Sequence, residues 1–224
     1  MVVENFLVTG GGGDIGAATC KRLAEVGYRP IVAYRRNCPV AIGLAERFGG
    51  RPIALDLTDD ASIMSAVETL AAYPEPLAGV ILAASPAPVI APFGKITAED
   101  MQLQWQVNVM GPQRLLAGLV RSSLRKRKTG TVIGILSEAM GDSLRPTASS
   151  MGAYVIAKFG LAGLLSVLAA DYPWLRVGSV SPGYTQTKML QAFDQRFLDL
   201  MRAKKEFLTP EEVAENIIQE IQKP

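Results

Sequence analysis

Tyr154 and Lys158 stand four positions apart, 17 residues after Ser137 and well downstream of the cluster Thr9-Gly10-Gly11-Gly12-Gly13-Asp14-Ile15-Gly16. In a helix, residues i and i+4 share a face, so the Lys158 ammonium comes to lie beside the Tyr154 phenol. A neighbouring cation stabilises phenolate and lowers the phenol pKa. Such a phenol can give a proton to a developing alkoxide. The glycine cluster adds the second half of the chemistry. Gly11, Gly13 and Gly16 carry the spacing Gly-x-Gly-x-x-Gly, after one apolar run and before a helical one. Without side chains the turn lets backbone approach a pyrophosphate, and the helix amino terminus meets the anion with free N–H groups and partial positive charge. No Gly-Lys-Ser/Thr closes the segment, which excludes a P-loop. A phosphate loop joined to a proton donor with a cation beside it describes a site for hydride transfer.

The second apolar run, ending Tyr34-Arg35-Arg36-Asn37, addresses the other end of the dinucleotide. Readers of NAD place an acidic residue there for the ribose hydroxyls, and none is present. Two guanidinium groups suit a 2′-phosphate by charge and by forked hydrogen bonding. NADP(H) is expected in preference to NAD(H).

Composition removes several alternatives. There is no histidine among the 224 residues, which excludes Ser-His-Asp and Cys-His nucleophiles and the usual zinc sites. Cys20 and Cys38 lie in no metal-ligand spacing and build no disulfide framework, so no metal is expected and a reduced, cytoplasmic setting fits. A net charge of +2 is too balanced for a dedicated nucleic-acid binder. Met-Val-Val-Glu-Asn-Phe carries no signal-peptide pattern, and the apolar run over 159–170 reads as too short to cross a bilayer. The basic run from Arg121 to Lys128 reads as the solvated carboxyl end of a helix, complementing its dipole. A site for a phosphorylated carrier or an acidic partner stays open as the other reading.

The elements that must position these groups are set by periodicity. Strands are expected at 6–9, 30–34, 52–55, 79–84, 131–136 and 175–180. Helices are expected at 15–26, 40–48, 61–72, 98–128 and 151–171, with a last one opening at Pro210 in its first turn. The strands are apolar throughout rather than alternating, as strands covered by helices on both faces are. The fold class is therefore α/β: a Rossmann-type, doubly wound parallel sheet of about six strands, within a single domain over 1–224. Lys188 to Leu208 reads as a cover over the substrate, within a segment of about 184–208. Met189, Leu190, Phe193, Phe197 and Leu200 either face the substrate or pack on the core.

Taken in order, these motifs resemble the short-chain dehydrogenase/reductase family across essentially the whole chain. Thr9 to Gly16 is similar to its Thr-Gly-x-x-x-Gly-x-Gly loop, and Asp56-Leu57 to its adenine-contacting pair after the third strand. Asn108 resembles the family's long-helix asparagine, and Ser137 its serine at the end of the fifth strand. Ser143, Ser149 and Ser150 lie in the same connection. Tyr154 and Lys158 match the central motif. Ser181-Pro182-Gly183-Tyr184-Thr185-Gln186-Thr187 resembles the segment that closes over the nicotinamide.

The resemblance implies hydride transfer between nicotinamide and a carbonyl or alcohol, with Tyr154 as acid and Ser137 bonding the substrate oxygen. It further implies Lys158 on the nicotinamide ribose and Asn108 holding a relay water. A 3-oxoacyl thioester, free or carrier-bound, is one substrate it implies; a catalytically silent NADP(H) sensor or scaffold is the alternative. Two departures stand out. Asp14 replaces the middle glycine, where it is expected to cap the helix. Ala83-Ala84-Ser85-Pro86 replaces Asn-Asn-Ala-Gly, leaving only backbone contact with the cofactor. Many relatives also continue into a seventh strand that helps assemble tetramers, whereas this sequence ends at Pro224. A homodimer through the helices around 105–119 and 153–168 is expected instead.

Overall fold

The computed structural model describes residues 3–36 and 38–223. Asn37, the last residue of the basic turn, lies outside them. Six strands form one sheet: β1 (Asn5–Thr9), β2 (Arg29–Tyr34), β3 (Arg51–Ala54), β4 (Leu77–Leu82), β5 (Thr131–Ile135) and β6 (Arg176–Val180). Their spatial order is β3-β2-β1-β4-β5-β6, and every neighbouring pair is parallel.

Alternation within each apolar strand supplies two cores at once, because successive side chains leave opposite faces. Leu7, Ile31, Val80 and Val132 enter one core. Phe6, Val8, Val32, Ile81 and Ile133 enter the other. The second core is closed by α1 (Asp14–Glu25), α2 (Cys38–Arg47) and, from the end of the chain, α9 (Pro210–Gln222). The first is closed by α3 (Asp60–Ala71) and by the long helical segment after β4. Each fully buried Leu, Ile, Val or Phe contributes roughly 1.5–3 kcal/mol, so the sheet is held from both sides.

The single helix expected over 98–128 is divided. It runs as α4 (Ala98–Trp105), a π turn (Gln106–Met110), α5 (Gly111–Leu119), a second π turn (Val120–Leu124) and α6 (Arg125–Arg127). A π turn inserts one residue and rotates the helix beyond it, a device common at functional sites. Thr97 and Asp100 start α4 with a reciprocal capping box. At the far end Lys128 stops the helix in the left-handed region, φ 48°, and Arg127 pairs with Glu4 at 2.6 Å.

Helix α7 (Gly152–Asp171) is longer than the apolar run over 159–170 suggested. Its 20 residues have mean hydropathy 1.8, long and apolar enough to cross a membrane by length and composition alone. Here it packs against α4, β5 and β6 with Lys158 buried in its middle. Leu161 and Leu165 serve the core, while Phe159 and Val167 on the same helix stay exposed. The last helices are α8 (Gln195–Lys204) and α9, which opens with Pro210 in its first turn and a Thr209–Glu212 capping box.

The chain order reverses between β1 and β4, and in parallel sheets ligands bind in the crevice at the carboxyl ends of such strands. Thr9 ties the two ends together: its hydroxyl donates to Ile81 O (3.4 Å) and accepts from the N–H groups of Ala83 (3.0 Å) and Ala84 (3.1 Å). Thr9→Val keeps the shape but strands both amides. Its unfolding free energy in urea should fall by about 1–3 kcal/mol, the cost of an unsatisfied buried donor.

Candidate active site

The glycine turn after β1 is too crowded for side chains. Gly10 adopts φ +63°, and a Cβ there would stand 2.9 Å from Ala84 Cα. A Cβ on Gly16 would stand 2.2 Å from Gly10 O, so α1 can approach β1 only with glycine at that position. Gly11 is anchored to β2 by its N–H to Ala33 O (2.9 Å), while a Cβ on Gly12 would meet only Val40 Cγ1, at 3.9 Å. Asp14 does not cap α1 as expected. Gly13 holds the cap position in extended conformation with no side-chain bond, and Asp14 is the first helical residue. Its carboxylate turns outward and accepts the N–H of Lys188 at 2.8 Å.

Two adjoining cavities open at the carboxyl edge of the sheet. One, ≈ 370 Å³, is lined by Gly10, Gly13, Asp14, Ile15, Gly16, Arg35, Leu55, Asp56, Leu57, Ala83 and Ala84, among others. The other, ≈ 280 Å³, is lined by Ser137, Tyr154, Lys158, Pro182, Gly183 and Thr185 together with apolar residues. Ile15, Ala83, Ser85, Thr187 and Met189 belong to both, so the two are continuous. Of the residues singled out in the sequence, Thr9, Gly11, Gly12, Arg36 and Asn108 line neither; Thr9 and Gly11 instead secure the turn from behind. At Asp56 burial pulls the carboxyl upward. The N–H and hydroxyl of Thr58 (2.9 and 2.7 Å), then Arg35 and Arg36, outweigh that pull and hold it below the usual carboxylate range.

Tyr154 and Lys158 sit one turn apart on α7, both buried. The Lys158 amine donates to Ile135 O at the end of β5 (2.8 Å) and lies 5.4 Å from the centroid of the Tyr154 ring. Burial lowers its pKa to about 7, because a charged amine loses hydration there. Burial likewise raises the Tyr154 phenol, and a hydrogen bond with Ser137 pulls the other way. The expected depression of the phenol by a permanent ammonium is therefore not what this chain alone produces. At Tyr154 desolvation outweighs the Ser137 bond, and at Lys158 it leaves the amine only part-protonated near neutral pH. Among the serines of this connection, Ser137 is the one paired with Tyr154; its Oγ also accepts from Ala139 N (3.1 Å). Asn108, in the first π turn, is buried and bonded to Gln104.

The segment after Thr187 borders the second cavity. Met189, Leu190 and Phe193 line it, whereas Phe197 packs on Phe193 and Tyr184, and Leu200 is 62% exposed. Only part of the apolar set expected to face substrate or core therefore does so. Tyr184, from the Ser181–Thr187 segment, also lines this cavity, as do Glu138, Arg145 and Met151, which were not anticipated. Glu138 was the findable one, since it comes directly after Ser137. Lys205 reaches it from beyond α8 (2.9 Å).

Comparison with known proteins agrees with this geometry. The family model for short chain dehydrogenase matches residues 4–196. A D-threitol dehydrogenase of Mycolicibacterium smegmatis is 30% identical over 190 residues, 82% of this chain and 70% of that protein. An acetoacetyl-CoA reductase of Paracoccus denitrificans is 28% identical over 195 residues, 86% and 78% of the two chains. A gluconate 5-dehydrogenase from Burkholderia cenocepacia, solved with NADP and tartrate, shares the fold with a TM-score of 0.85. That match covers 96% of this chain and 87% of its own at 22% identity. The chain belongs to the short-chain dehydrogenase/reductase family and is an NAD(P)-dependent oxidoreductase.

Lys158 makes stability depend on pH in a definite direction. Its pKa falls from 10.5 to about 7 on burial, so between those values the unfolded chain binds the proton that the folded chain has lost. Stability therefore rises with pH, by up to about 1.4 kcal/mol per unit. The Cys20 thiol, raised from 9.0 to about 12 by burial, opposes this only above pH 9. Chemical denaturation should show the rise between pH 7 and 9, and Lys158→Met should flatten it.

Proposed function

We propose that the protein is an NADPH-dependent carbonyl reductase, able to run in reverse as an alcohol dehydrogenase. The observation that carries this reading is the continuity of two cavities, one walled by the glycine turn and the other by Ser137, Tyr154 and Lys158. The residues present fit a dinucleotide. Gly10 and Gly16 leave no room for side chains, and the amino terminus of α1 opens on the same space. Arg35 lines the far end and Arg36 adjoins it, which supports binding of a 2′-phosphate; Asp56 and Leu57 take the adenine, and Ala83 and Ala84 offer backbone alone. Bound there, the dinucleotide supplies or accepts the hydride.

The chain's own groups manage the proton. Ser137 bonds the substrate oxygen and holds the Tyr154 hydroxyl toward it. Tyr154 donates its proton to that oxygen as negative charge develops, and takes it back in the reverse direction. Lys158, whose pKa burial brings close to neutrality, binds the ribose hydroxyls of the nicotinamide nucleoside and charges as the phenol gives up its proton. Asn108 holds a water that returns protons from solvent to Lys158. Pro182, Gly183, Thr185 and Thr187 close over the nicotinamide end.

Met151, Met189, Leu190 and Phe193 give the substrate cavity an apolar wall, which supports an acyl or ketone substrate. The name of the Paracoccus relative, an acetoacetyl-CoA reductase, supports a 3-oxoacyl thioester as that substrate. We read 1–224 as one dinucleotide-binding unit with 184–208 as its cover, placed in the cytoplasm. Exposed Trp105, Phe159 and Val167 on α4 and α7 support a homodimer through that face.

Tyr154→Phe should lower kcat at least roughly 10²-fold with NADPH affinity unchanged, read as loss of nicotinamide absorbance over a panel of ketones and acyl thioesters. Near-normal turnover in that variant would defeat the assignment. An inactive wild-type protein that still binds NADPH favours the silent sensor. The double variant Arg35→Ala, Arg36→Ala should weaken NADPH about tenfold or more, on the scale of charge-assisted bonds, and leave NADH unchanged. Equal losses for both coenzymes would remove the role given to the arginines.

A further inference from the structure

Among the described residues, two buried side-chain polar atoms lack a hydrogen-bond partner: Asn5 Oδ1 and Asn108 Oδ1. Asn5 begins the central strand β1, at the amino ends of the strands and opposite the cavities. Asn108 stands in the π turn that packs on α7, the helix of Tyr154 and Lys158. Its nitrogen is fully committed, for Nδ2 donates to Gln104 O and to Gln104 Oε1, both at 3.0 Å. Gln104 is itself 2% exposed, and its Nε2 donates to Ala87 O (2.9 Å) and Pro86 O (3.4 Å).

The two amides cannot be turned around. The carbonyls of Pro86 and Ala87 only accept, so Gln104 must aim its nitrogen at them and its oxygen at Asn108. Asn108 must then answer with its own nitrogen, which leaves Oδ1 as the free acceptor. Backbone polarity in the loop after β4 is thus passed through one side chain to set another. That loop, Ala83-Ala84-Ser85-Pro86, has no side-chain amide of its own.

We propose that Gln104 is a positioning residue. It clamps the loop after β4 to the π turn and fixes Asn108 with its oxygen free for the donor it serves in proton transfer. The inference rests on the role assigned to Asn108 above, and it can fail independently of that role.

Three variants decide it. Gln104→Leu removes both ends of the relay, and the near-isosteric Gln104→Glu keeps the packing but cannot donate to the two carbonyls until it is protonated. Relative to wild type at each pH, both should lose kcat by about 10- to 100-fold near neutrality, the scale of misplaced groups. KM for the coenzyme should change by less than kcat, since the clamp bears on the Pro86–Ala87 end of the loop and leaves the glycine turn untouched. Only Gln104→Glu should recover as pH falls toward about 5, since burial raises a carboxyl pKa and the acid form restores the donor. Adding Gln104→Leu to Asn108→Ala should cost nothing further. Wild-type kcat in Gln104→Leu, a loss confined to KM, no acid recovery, or additive losses would each overturn the proposal.

Hydrogen exchange of the Asn108 side-chain amide in isotope-labelled protein reads the relay without any substrate. It should be less protected in Gln104→Leu than in wild type, since the variant keeps only the bond to the main-chain carbonyl of residue 104; equal protection in both overturns the relay. If the wild type turns over no carbonyl, the reductase reading falls alone and exchange still decides this one.

Discussion

The chain leaves β3 at one edge of the sheet and returns to its middle, laying β4 against the free side of β1. Everything chemical depends on that return. Connections leaving β1 and β4 run to opposite faces, so a crevice opens between them that neither set of helices fills. The hydroxyl of Thr9 holds the crevice to a fixed width by bonding across it to the amides of Ala83 and Ala84. The glycine turn then fits within that width because Gly10 and Gly16 carry nothing that would force it wider. The next strand outward, β5, delivers Ile135 and Ser137 to the same edge, where α7 meets them with Lys158 and Tyr154.

Desolvation governs the electrostatics of this edge. An amine with a single carbonyl partner in a closed interior is a weaker base, and a phenol beside it a weaker acid, than either is in water. Burial therefore acts on the two groups in opposite senses and favours the neutral form of each. A group poised near neutral pH can change its charge during turnover, which a permanently charged one cannot.

Much of this was legible in the residues. Glycines at fixed spacing and a tyrosine four residues before a lysine are weak signals singly and gain weight from their order along apolar, β-branched strands, and element positions came within a few residues. What failed to show depends on where loops travel. Asp14 reads as a cap in any local pattern, yet its carboxylate is taken by Lys188, 174 residues away. Arg36 is indistinguishable from Arg35 by type, but only Arg35 lines the cavity. The helix over 98–128 showed no break because π turns leave no signature in hydrophobic period. The pairing of Gln104 with Pro86 and Ala87 required that unseen rotation as well as the path of the loop after β4.

The aromatic knot of Tyr184, Phe193, Phe197 and Phe207 closes on itself, with ring centroids 5.2–5.9 Å apart. None of these rings belongs to either sheet core, and the segment meets the body through a few ties such as Lys188 to Asp14 and Lys205 to Glu138, with Phe193 packed against the small Met151–Tyr154–Val155 cluster. Local cooperative units of that kind open at a fraction of the global unfolding free energy. Drift in this region during descent therefore leaves the scaffold intact: appetite for new molecules can change by substitutions that the sheet never feels.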